Sequence, residues 1–383
     1  LLPSKSSLPM SAQGVHLHVL LKRGFDFFCE LFPDAINEFA RASCVPMNWT
    51  QDTVWEIRQG IFPRYRSSLE TYTCSRSLCE KIMLNDLVLR GNVDFIKGAF
   101  RSCAIEGEQC HSIQIDLDDE AVQKIDCDFL FMSPGHTANH RFVPFLELCH
   151  EVSVPINIFY RSVLYRREEL NLKDCKQYYY QMNPREDKCG IVLSPIEQNL
   201  VMATGIEMID VSEVAAKKKE TFKDFLKRLP SDRARKIVDD AREVSFERYF
   251  YKKTMFRRKF RFKNKVDNIA VGGDLICSLN PVYGQGMTVA LNQAILLREM
   301  FSKREFSSSS FLKKATELSR VPFSLAEENS KVEVNFSTKM FRSSIQRALK
   351  NQSYHHTMSE VLHLRSSPLK LFHPSVMVNA LLS

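Results

Sequence analysis

The sequence is poor in glycine and has no long apolar run. Only 13 of its 383 residues are glycine, and no Gly-x-Gly pattern occurs before residue 284. The first two thirds of the chain therefore contain no glycine-rich phosphate-binding loop. No stretch approaches the roughly 18 uncharged apolar residues that a membrane-spanning helix needs, so we expect no membrane span.

The cysteines show no pairing pattern. There are eleven of them, an odd number, scattered along the chain without a C-x-x-C pair. This pattern argues against a zinc site and favours a reducing, cytoplasmic compartment, and we expect no bound metal. The residues Leu1–Lys5 are too short and broken to start a secretory signal. No catalytic triad is recognisable either.

The formal net charge of +8 is concentrated in one segment. Basic residues from Lys252 to Lys263 alternate with Phe256, Phe260 and Phe262. Such a run can bind single-stranded nucleic acid, but strict alternation also describes a half-buried strand with one solvated face. We favour the strand and expect no nucleic-acid partner.

The most informative segment runs from residue 268 to residue 290. A short predicted strand, Asn268–Gly272, precedes Gly273 and Asp274, and a loop leads to a helix that begins at about Gly286. A helix start without side-chain cover attracts partial negative charge. Asp274 can accept hydrogen bonds from sugar or ribityl hydroxyls, and glycine lets the backbone approach a flat ring. The alternative is an ordinary strand–loop–helix.

These residues resemble the C-terminal flavin motif of FAD-dependent monooxygenases and related oxidoreductases with the p-hydroxybenzoate hydroxylase fold. The resemblance implies that Gly273 and Asp274 hold the ribityl chain and that Pro281 lies against the flavin. It further implies that backbone amides face the pyrimidine end of the ring, from Gly284, Gln285, Gly286 and Met287.

Other stretches are similar to one branch of the same flavoproteins. Gln13–Leu21 resembles the segment after the first βαβ unit, and Tyr160–Arg166 the first strand of the substrate domain. Ser75 and Arg76 resemble the start of a helix whose arginine approaches the FAD diphosphate or adenosine side, which makes Arg76 a candidate cofactor contact. The only candidates for lining the ring or relaying a proton are His16 and His18, for which a structural role is the alternative.

Two features depart from that family. The initial strand, Gly-x-Gly-x-x-Gly turn and helix are missing, so we expect a sequence truncated at its N-terminus. The alternative is a degenerate remnant that has lost FAD binding and acts as a non-catalytic binding protein. Ser133–His136 replaces an Asp-Gly pair that serves the nicotinamide donor. The electron donor therefore stays open between NAD(P)H and a separate reductase.

Local patterns predict several elements outside the motif. Ser75 is a predicted N-cap of a helix, and Val93–Ala99 with Ser112–Leu117 a predicted hairpin or meander. Cys127–Met132 reads as a buried strand, and the serine run Ser307–Ser310 as a linker between helices.

Together these features predict an α/β fold. We expect a Rossmann-like FAD-binding domain, lacking its first βαβ unit, from residues 1–154 and 264–305. A β-rich substrate domain is expected at 155–263 and a helical C-terminal region at 306–383. The predicted function is that of an FAD-dependent oxidoreductase, a monooxygenase or epoxidase-like enzyme acting on a hydrophobic or aromatic small molecule.

Overall fold

The computed structural model describes residues 12–117, 121–136, 143–245, 247–330 and 336–373. The helices are α1 Lys22–Leu31, α2 Ala35–Arg41, α3 Trp49–Asp52, α4 Arg76–Arg90, α5 Val214–Lys217, α6 Phe222–Lys227, α7 Arg233–Val238, α8 Gln285–Ser302, α9 Ser308–Leu318, α10 Arg320–Ser330, α11 Phe336–Lys350 and α12 Gln352–Leu362. The strands are β1 Val45–Asn48, β2 Thr53–Ile57, β3 Gly60–Ile61, β4 Glu70–Thr73, β5 Ala99–Glu106, β6 Gln109–Asp116, β7 Val122–Asp126, β8 Leu130–Met132, β9 Leu146–Arg166, β10 Gln177–Tyr180, β11 Cys189–Ile196, β12 Leu200–Met208, β13 Arg248–Phe262, β14 Ile269–Val271 and β15 Cys277–Ser278.

The chain divides into two compact units. Unit 1 consists of residues 1–89, 156–253 and 328–383, and unit 2 of residues 90–155 and 254–327. Each unit is therefore assembled from segments that are far apart in the sequence.

Unit 1 is built on one mixed sheet, with the strand order β13-β9-β12-β11-β10-β2-β3. Antiparallel pairing joins β9 to β12, β12 to β11 and β11 to β10, whereas β10 and β2 are parallel. These strands consist of near-continuous runs of β-branched and aromatic residues, as expected for a sheet whose two faces are both largely covered. A smaller antiparallel pair, β1 with β4, belongs to the same unit.

The core of unit 1 lies where α6 and α7 cover this sheet. Phe222 and Phe225 of α6 are fully buried against the aromatic side chains Tyr165 and Tyr178 and their aliphatic neighbours. Helix α6 is short but well started, since the Thr221 hydroxyl accepts a hydrogen bond from the Asp224 amide (3.2 Å). The aromatic residues that the sequence places in this region therefore form a packed core.

The basic segment forms the predicted strand, as β13. In the part of β13 that belongs to unit 2, Phe256 and Phe260 are buried. Arg258 Nε lies 2.6 Å from a carboxylate oxygen of Glu151, and Arg261 Nε lies 2.8 Å from one of Glu147. These cations thus balance neighbouring carboxylates on an antiparallel sheet.

Three local predictions need adjustment. The hairpin exists, but its strands are β5 and β6, so residues 93–98 precede the first strand. The strand predicted at Cys127–Met132 starts only at Leu130. The linker prediction for the serine run is wrong: Ser307 caps α9, and the buried Ser308 hydroxyl accepts the Ile269 amide proton (2.9 Å). Serine favours caps as strongly as loops, because its hydroxyl bonds nearby backbone groups.

Unit 2 contains the antiparallel sheet β5-β6-β7 and the parallel pair β14-β8. Asn268 connects them. Its buried amide donates to the carbonyl oxygens of Cys110 (2.8 Å) and Asp128 (2.9 Å), and its Oδ1 accepts from the Cys110 amide (2.7 Å).

We expect Asn268→Ala to lower the free energy of unfolding of the protein by about 2 kcal/mol, because buried backbone groups lose their partners. Guanidinium unfolding followed by circular dichroism measures this change. The matched control is Gln123→Ala on the exposed face of β7. Equal stability of the two variants would contradict the bridging role of Asn268.

Candidate functional site

The strand β14 carries the candidate motif of unit 2. Its three residues are fully buried and pair in parallel with β8, Ile269 opposite Leu130. The next two positions require glycine. A Cβ on Gly272 would lie 2.9 Å from Gln293 Oε1, and one on Gly273, whose φ is +68°, would overlap Ser133 Oγ. The backbone of Gly272 and Gly273 therefore lies in direct contact with the side chains of Gln293 and Ser133.

Helix α8 fixes the turn that carries Asp274. Gln293 of this helix accepts a hydrogen bond from the Gly273 amide through Oε1 (2.7 Å), and its own side chain is buried. Asp274 follows in a short 3-10 turn and is half-buried. Within the described part of the chain, its carboxylate has no hydrogen bond or ion pair. The structure thus positions an acceptor and leaves its oxygens available.

Helix α8 starts without a side-chain cap, and its second residue, Gly286, is exposed. Asn280 accepts the Val282 amide proton (3.1 Å) and begins a 3-10 turn with Pro281 at its first position. Gly284 then takes the left-handed conformation (φ 64°), and α8 begins at Gln285 without a side-chain cap. The first amides of a helix lack intrahelical partners and carry its partial positive charge.

Two observations at this helix start suit a bound molecule. A Cβ on Gly286 would have no atom within 4 Å, so open space lies above this residue. On the buried side, Gln285 Oε1 and Thr288 Oγ1 have no hydrogen-bond partner among the described residues, although both side chains are about 1% exposed. Because buried polar atoms are normally hydrogen-bonded, these two atoms are available to a further partner.

In unit 1, His16 ends a chain of hydrogen bonds. The Leu17 amide donates to Thr204 Oγ1 (3.3 Å), Thr204 and Ser162 hydroxyls lie 2.7 Å apart, and Ser162 Oγ lies 2.8 Å from His16 Nδ1. Every hydroxyl proton has a partner only if Thr204 donates to Ser162 and Ser162 to the imidazole. That arrangement places the His16 proton on Nε2, a buried nitrogen without a hydrogen bond of standard geometry to a described residue. Burial, and then the neighbouring His18, lower the pKa of His16 to about 4, so the ring is neutral at pH 7.

His18 and Arg76 are neighbours in the same unit. His18 Nδ1 donates to the His16 carbonyl (2.9 Å), and burial above all lowers the pKa of His18 to about 4, with the Arg76 charge a smaller cause in the same direction. Arg76 Nε is 2.7 Å from a carboxylate oxygen of Glu80. Its guanidinium therefore stays oriented by its own helix.

The predicted N-cap of α4 is confirmed, with an unexpected partner. Ser75 Oγ accepts the Leu78 amide proton (3.1 Å). The Ser75 amide itself donates to Glu197 (2.8 Å), and its hydroxyl lies 2.5 Å from the other carboxylate oxygen. Glu197 thus replaces the glutamate that a capping box carries three residues after the cap.

The structure gathers the candidates into two groups. Gly273, Asp274, Pro281 and the residues Gly284 to Met287 form one continuous stretch of unit 2, whereas His16, His18 and Arg76 lie together in unit 1. Gln293, Thr288 and Glu197 were missed. The first two are polar residues on an otherwise aliphatic helix face, a signal that the sequence contained, whereas the Glu197 contact is a tertiary one.

The described residues contain neither a metal-binding cluster nor a helix that could span a membrane. Residues of the types that bind metals do not cluster in groups of three or more with suitable geometry. No helix in the described ranges combines the length and apolarity that a bilayer span requires.

Comparison with known proteins gives matches at the level of structure. No family model and no curated protein sequence matches the chain. The flavin-dependent brominase Bmp2 superposes with a TM-score of 0.67 at 10% identity, covering 91% of this chain and 83% of the brominase. A flavoprotein/dehydrogenase from Cytophaga hutchinsonii gives 0.65 at 13% identity, with coverages of 96% and 89%. The p-nitrophenol 4-monooxygenase PnpA from Pseudomonas putida gives 0.62 at 11% identity, with coverages of 92% and 89%.

The chain therefore has the fold that these flavin-dependent halogenases and monooxygenases share. The prediction of an α/β fold with a helical C-terminal region is confirmed, and the structure adds a large mixed sheet. Identities of this size show the fold alone.

Proposed function

We propose that this chain belongs to an FAD-dependent oxidoreductase, a monooxygenase or epoxidase-like enzyme for a hydrophobic or aromatic small molecule. The observation that carries the proposal is the stretch from Gly272 to Thr288. It combines a half-buried carboxylate that has no partner among the described residues with an uncapped helix start and open space at Gly286. The fold shared with flavin-dependent enzymes supports it.

The residues present fit the cofactor chemically. Asp274 offers acceptor oxygens to ribityl hydroxyls, and the amides at the start of α8 offer donors to the electron-rich pyrimidine end of the ring. When bound, the flavin supplies hydride and dioxygen chemistry. The chain itself orients the ring and keeps the imidazoles of His16 and His18 neutral.

The division of labour within the chain is part of this proposal. Residues 1–154 and 264–305 bind the cofactor, residues 155–263 bind the substrate, and residues 306–383 form the helical C-terminal region. Electrons come from NAD(P)H or from a separate reductase, in the cytoplasm. The eleven cysteines are all free thiols in the structure, which is compatible with a reducing compartment.

The visible absorption spectrum tests the proposal. The purified protein is titrated with FAD, and bound flavin is separated from free flavin by gel filtration. Flavin bands that co-elute with the protein, and substrate-stimulated consumption of dioxygen after chemical reduction, are expected. A protein that remains colourless at saturating FAD refutes the proposal and favours a non-catalytic binding protein.

We expect Asp274→Ala to raise the Kd for FAD by about 10- to 150-fold. A charge-assisted hydrogen bond contributes about 1.5–3 kcal/mol, and 1.4 kcal/mol corresponds to a factor of ten. Quenching of flavin fluorescence gives the Kd. Asp267→Ala removes a partly exposed carboxylate of the same unit and serves as the control. If both variants bind FAD as the unmodified chain does, the site assignment for Asp274 is wrong.

A further inference from the structure

Two cysteine thiols touch at the start of α4. The Sγ atoms of Cys74 and Cys79 lie 3.3 Å apart, and both residues are buried. Cys74 precedes the N-cap Ser75, and Cys79 is the fourth residue of the helix. The pair therefore occupies the two positions whose apolar contact normally fixes the entry of a chain into a helix.

The surroundings hold these thiols in register. Ser75, which lies between Cys74 and the helix, is hydrogen-bonded to Glu197 through both its amide and its hydroxyl. These bonds hold Ser75 in place. The Cys79 amide donates to the Ser75 carbonyl (3.4 Å), as the first turn requires. Both sulfur atoms are thus fixed by hydrogen-bonded backbone on either side of the cap.

We propose that Cys74 and Cys79 form a reversible disulfide when the protein meets a hydroperoxide, and that this bond locks the first turn of α4. The proposal is independent of flavin binding. An S–S bond of about 2.0 Å requires the sulfur atoms to approach by little more than 1 Å from their present contact.

The chemistry balances with hydrogen peroxide as the oxidant. One sulfur, as the thiolate, attacks a peroxide oxygen: an S–O bond forms, the O–O bond breaks, and the departing hydroxide takes up a proton to become water. The second sulfur then displaces the oxygen of the sulfenic acid, forming the S–S bond and releasing a second water. Two thiols lose two electrons, and one peroxide gains them.

Burial determines which product forms. The hydrogen bond with Cys79 and then burial raise the pKa of the Cys74 thiol, so the first attack is slow compared with that of an exposed cysteine. Burial also keeps bulky thiols such as glutathione away, whereas the neighbouring sulfur is already in contact. Cys149, which is exposed, has no such neighbour in the described part of the chain and should form mixed disulfides instead.

The lock would act on the residues that the first turn carries. Arg76 is the first residue of α4 and is oriented by Glu80 within this turn. A covalent bond between the positions before and after it restricts fraying of the helix end, which normally opens first.

Peptide mass spectrometry tests the proposal on the native chain. The protein is treated with hydrogen peroxide, denatured in an alkylating agent and digested with trypsin without reduction. Because cleavage after Arg76 separates the two cysteines, a disulfide joins the peptides of residues 67–76 and 77–81. We expect this joined pair, lighter by two hydrogen atoms than the sum of its parts, and its disappearance after dithiothreitol.

Three results would overturn the proposal. In the first, Cys149 is oxidised while Cys74 and Cys79 remain fully alkylated. In the second, Cys74 is joined to the neighbouring buried Cys44, and in the third the same linkage forms equally well in a chain unfolded by guanidinium before oxidation. Cys44→Ala is the matched control variant, in which the disulfide between the peptides 67–76 and 77–81 should persist. In the oxidised form of the native chain, hydrogen exchange at α4 should slow.

Discussion

Arg161→Ala is expected to lower the free energy of unfolding by about 3–5 kcal/mol, the loss typical when one partner of a buried ionic cluster is removed. Arg161 lies on β9 and is completely buried. Its guanidinium donates to the carbonyl oxygens of Lys217 (2.8 Å), Glu220 (3.2 Å) and Thr221 (3.3 Å). Without it, these buried carbonyls lose their donor and Glu247 loses its ion pair with Arg161. Glu207 and Glu220 keep ion pairs with Lys217 and Arg228.

The carboxylates around Arg161 explain the size of the effect. Oxygen atoms of Glu207, Glu220 and Glu247 lie 3.4 to 3.7 Å from its terminal nitrogens. Opposite Arg161 on β12 stands Gly205, where a Cβ would lie 2.5 Å from the Phe225 ring. The sheet, helix α6 and the loop before it therefore meet around the buried guanidinium of Arg161.

Guanidinium unfolding monitored by fluorescence measures the loss. Arg166→Ala, at the exposed end of the same strand, is the control, with an expected change below about 0.5 kcal/mol. Arg161→Lys keeps the charge but not the planar fork, so its stability should fall between the two. An Arg161→Ala variant as stable as Arg166→Ala would show that the cluster is energetically neutral.

The protein is also expected to lose stability steeply as the pH falls from about 6.5 towards 4. Burial is the largest cause that lowers the pKa of four histidines, to about 4 in His16, His18 and His355 and to about 3 in His363. In the unfolded chain each histidine takes up a proton near its ordinary pKa of 6.5. Unfolding therefore binds protons throughout this window and becomes easier as the pH falls.

Each such histidine contributes a slope of about 1.4 kcal/mol per pH unit, so four give at most about 5.5 kcal/mol per unit. The free energy of unfolding, measured in guanidinium at pH 7.5, 6 and 5, shows this slope directly. His363→Gln should reduce it by one quarter at most. His111→Gln, at an exposed position, should leave it unchanged. Equal stability at pH 7.5 and pH 5 would contradict the assignment of neutral, buried imidazoles.

Patterns that lie within one stretch of sequence predicted their structure well. The segment from Gly273 to Met287 contains the strand end, the glycines and the helix start within a few residues, so its geometry follows from local backbone rules. The strand through Phe256 and Phe260 was predicted for the same reason, since alternation reports a half-buried strand.

Contacts between distant segments left no comparable pattern. Arg161 stands inside an apolar strand, and its acceptors are backbone carbonyls, which every residue has. The hydrogen bonds that join Leu17, Thr204, Ser162 and His16 require β9 and β12 to pair in one register. The serine run was misread because a serine before a helix and a serine in a loop use the same hydroxyl.

The imidazole of His363 has a consequence for the order in which the chain matures. Its Nδ1 accepts the amide proton of Lys22 at the start of α1 (3.0 Å), across 341 residues of sequence. Unit 2 has both of its segments once residue 327 has left the ribosome, whereas α1 must wait for residue 363 to obtain this cap. During synthesis, α1 therefore emerges long before the residue that completes the hydrogen bonds at its start.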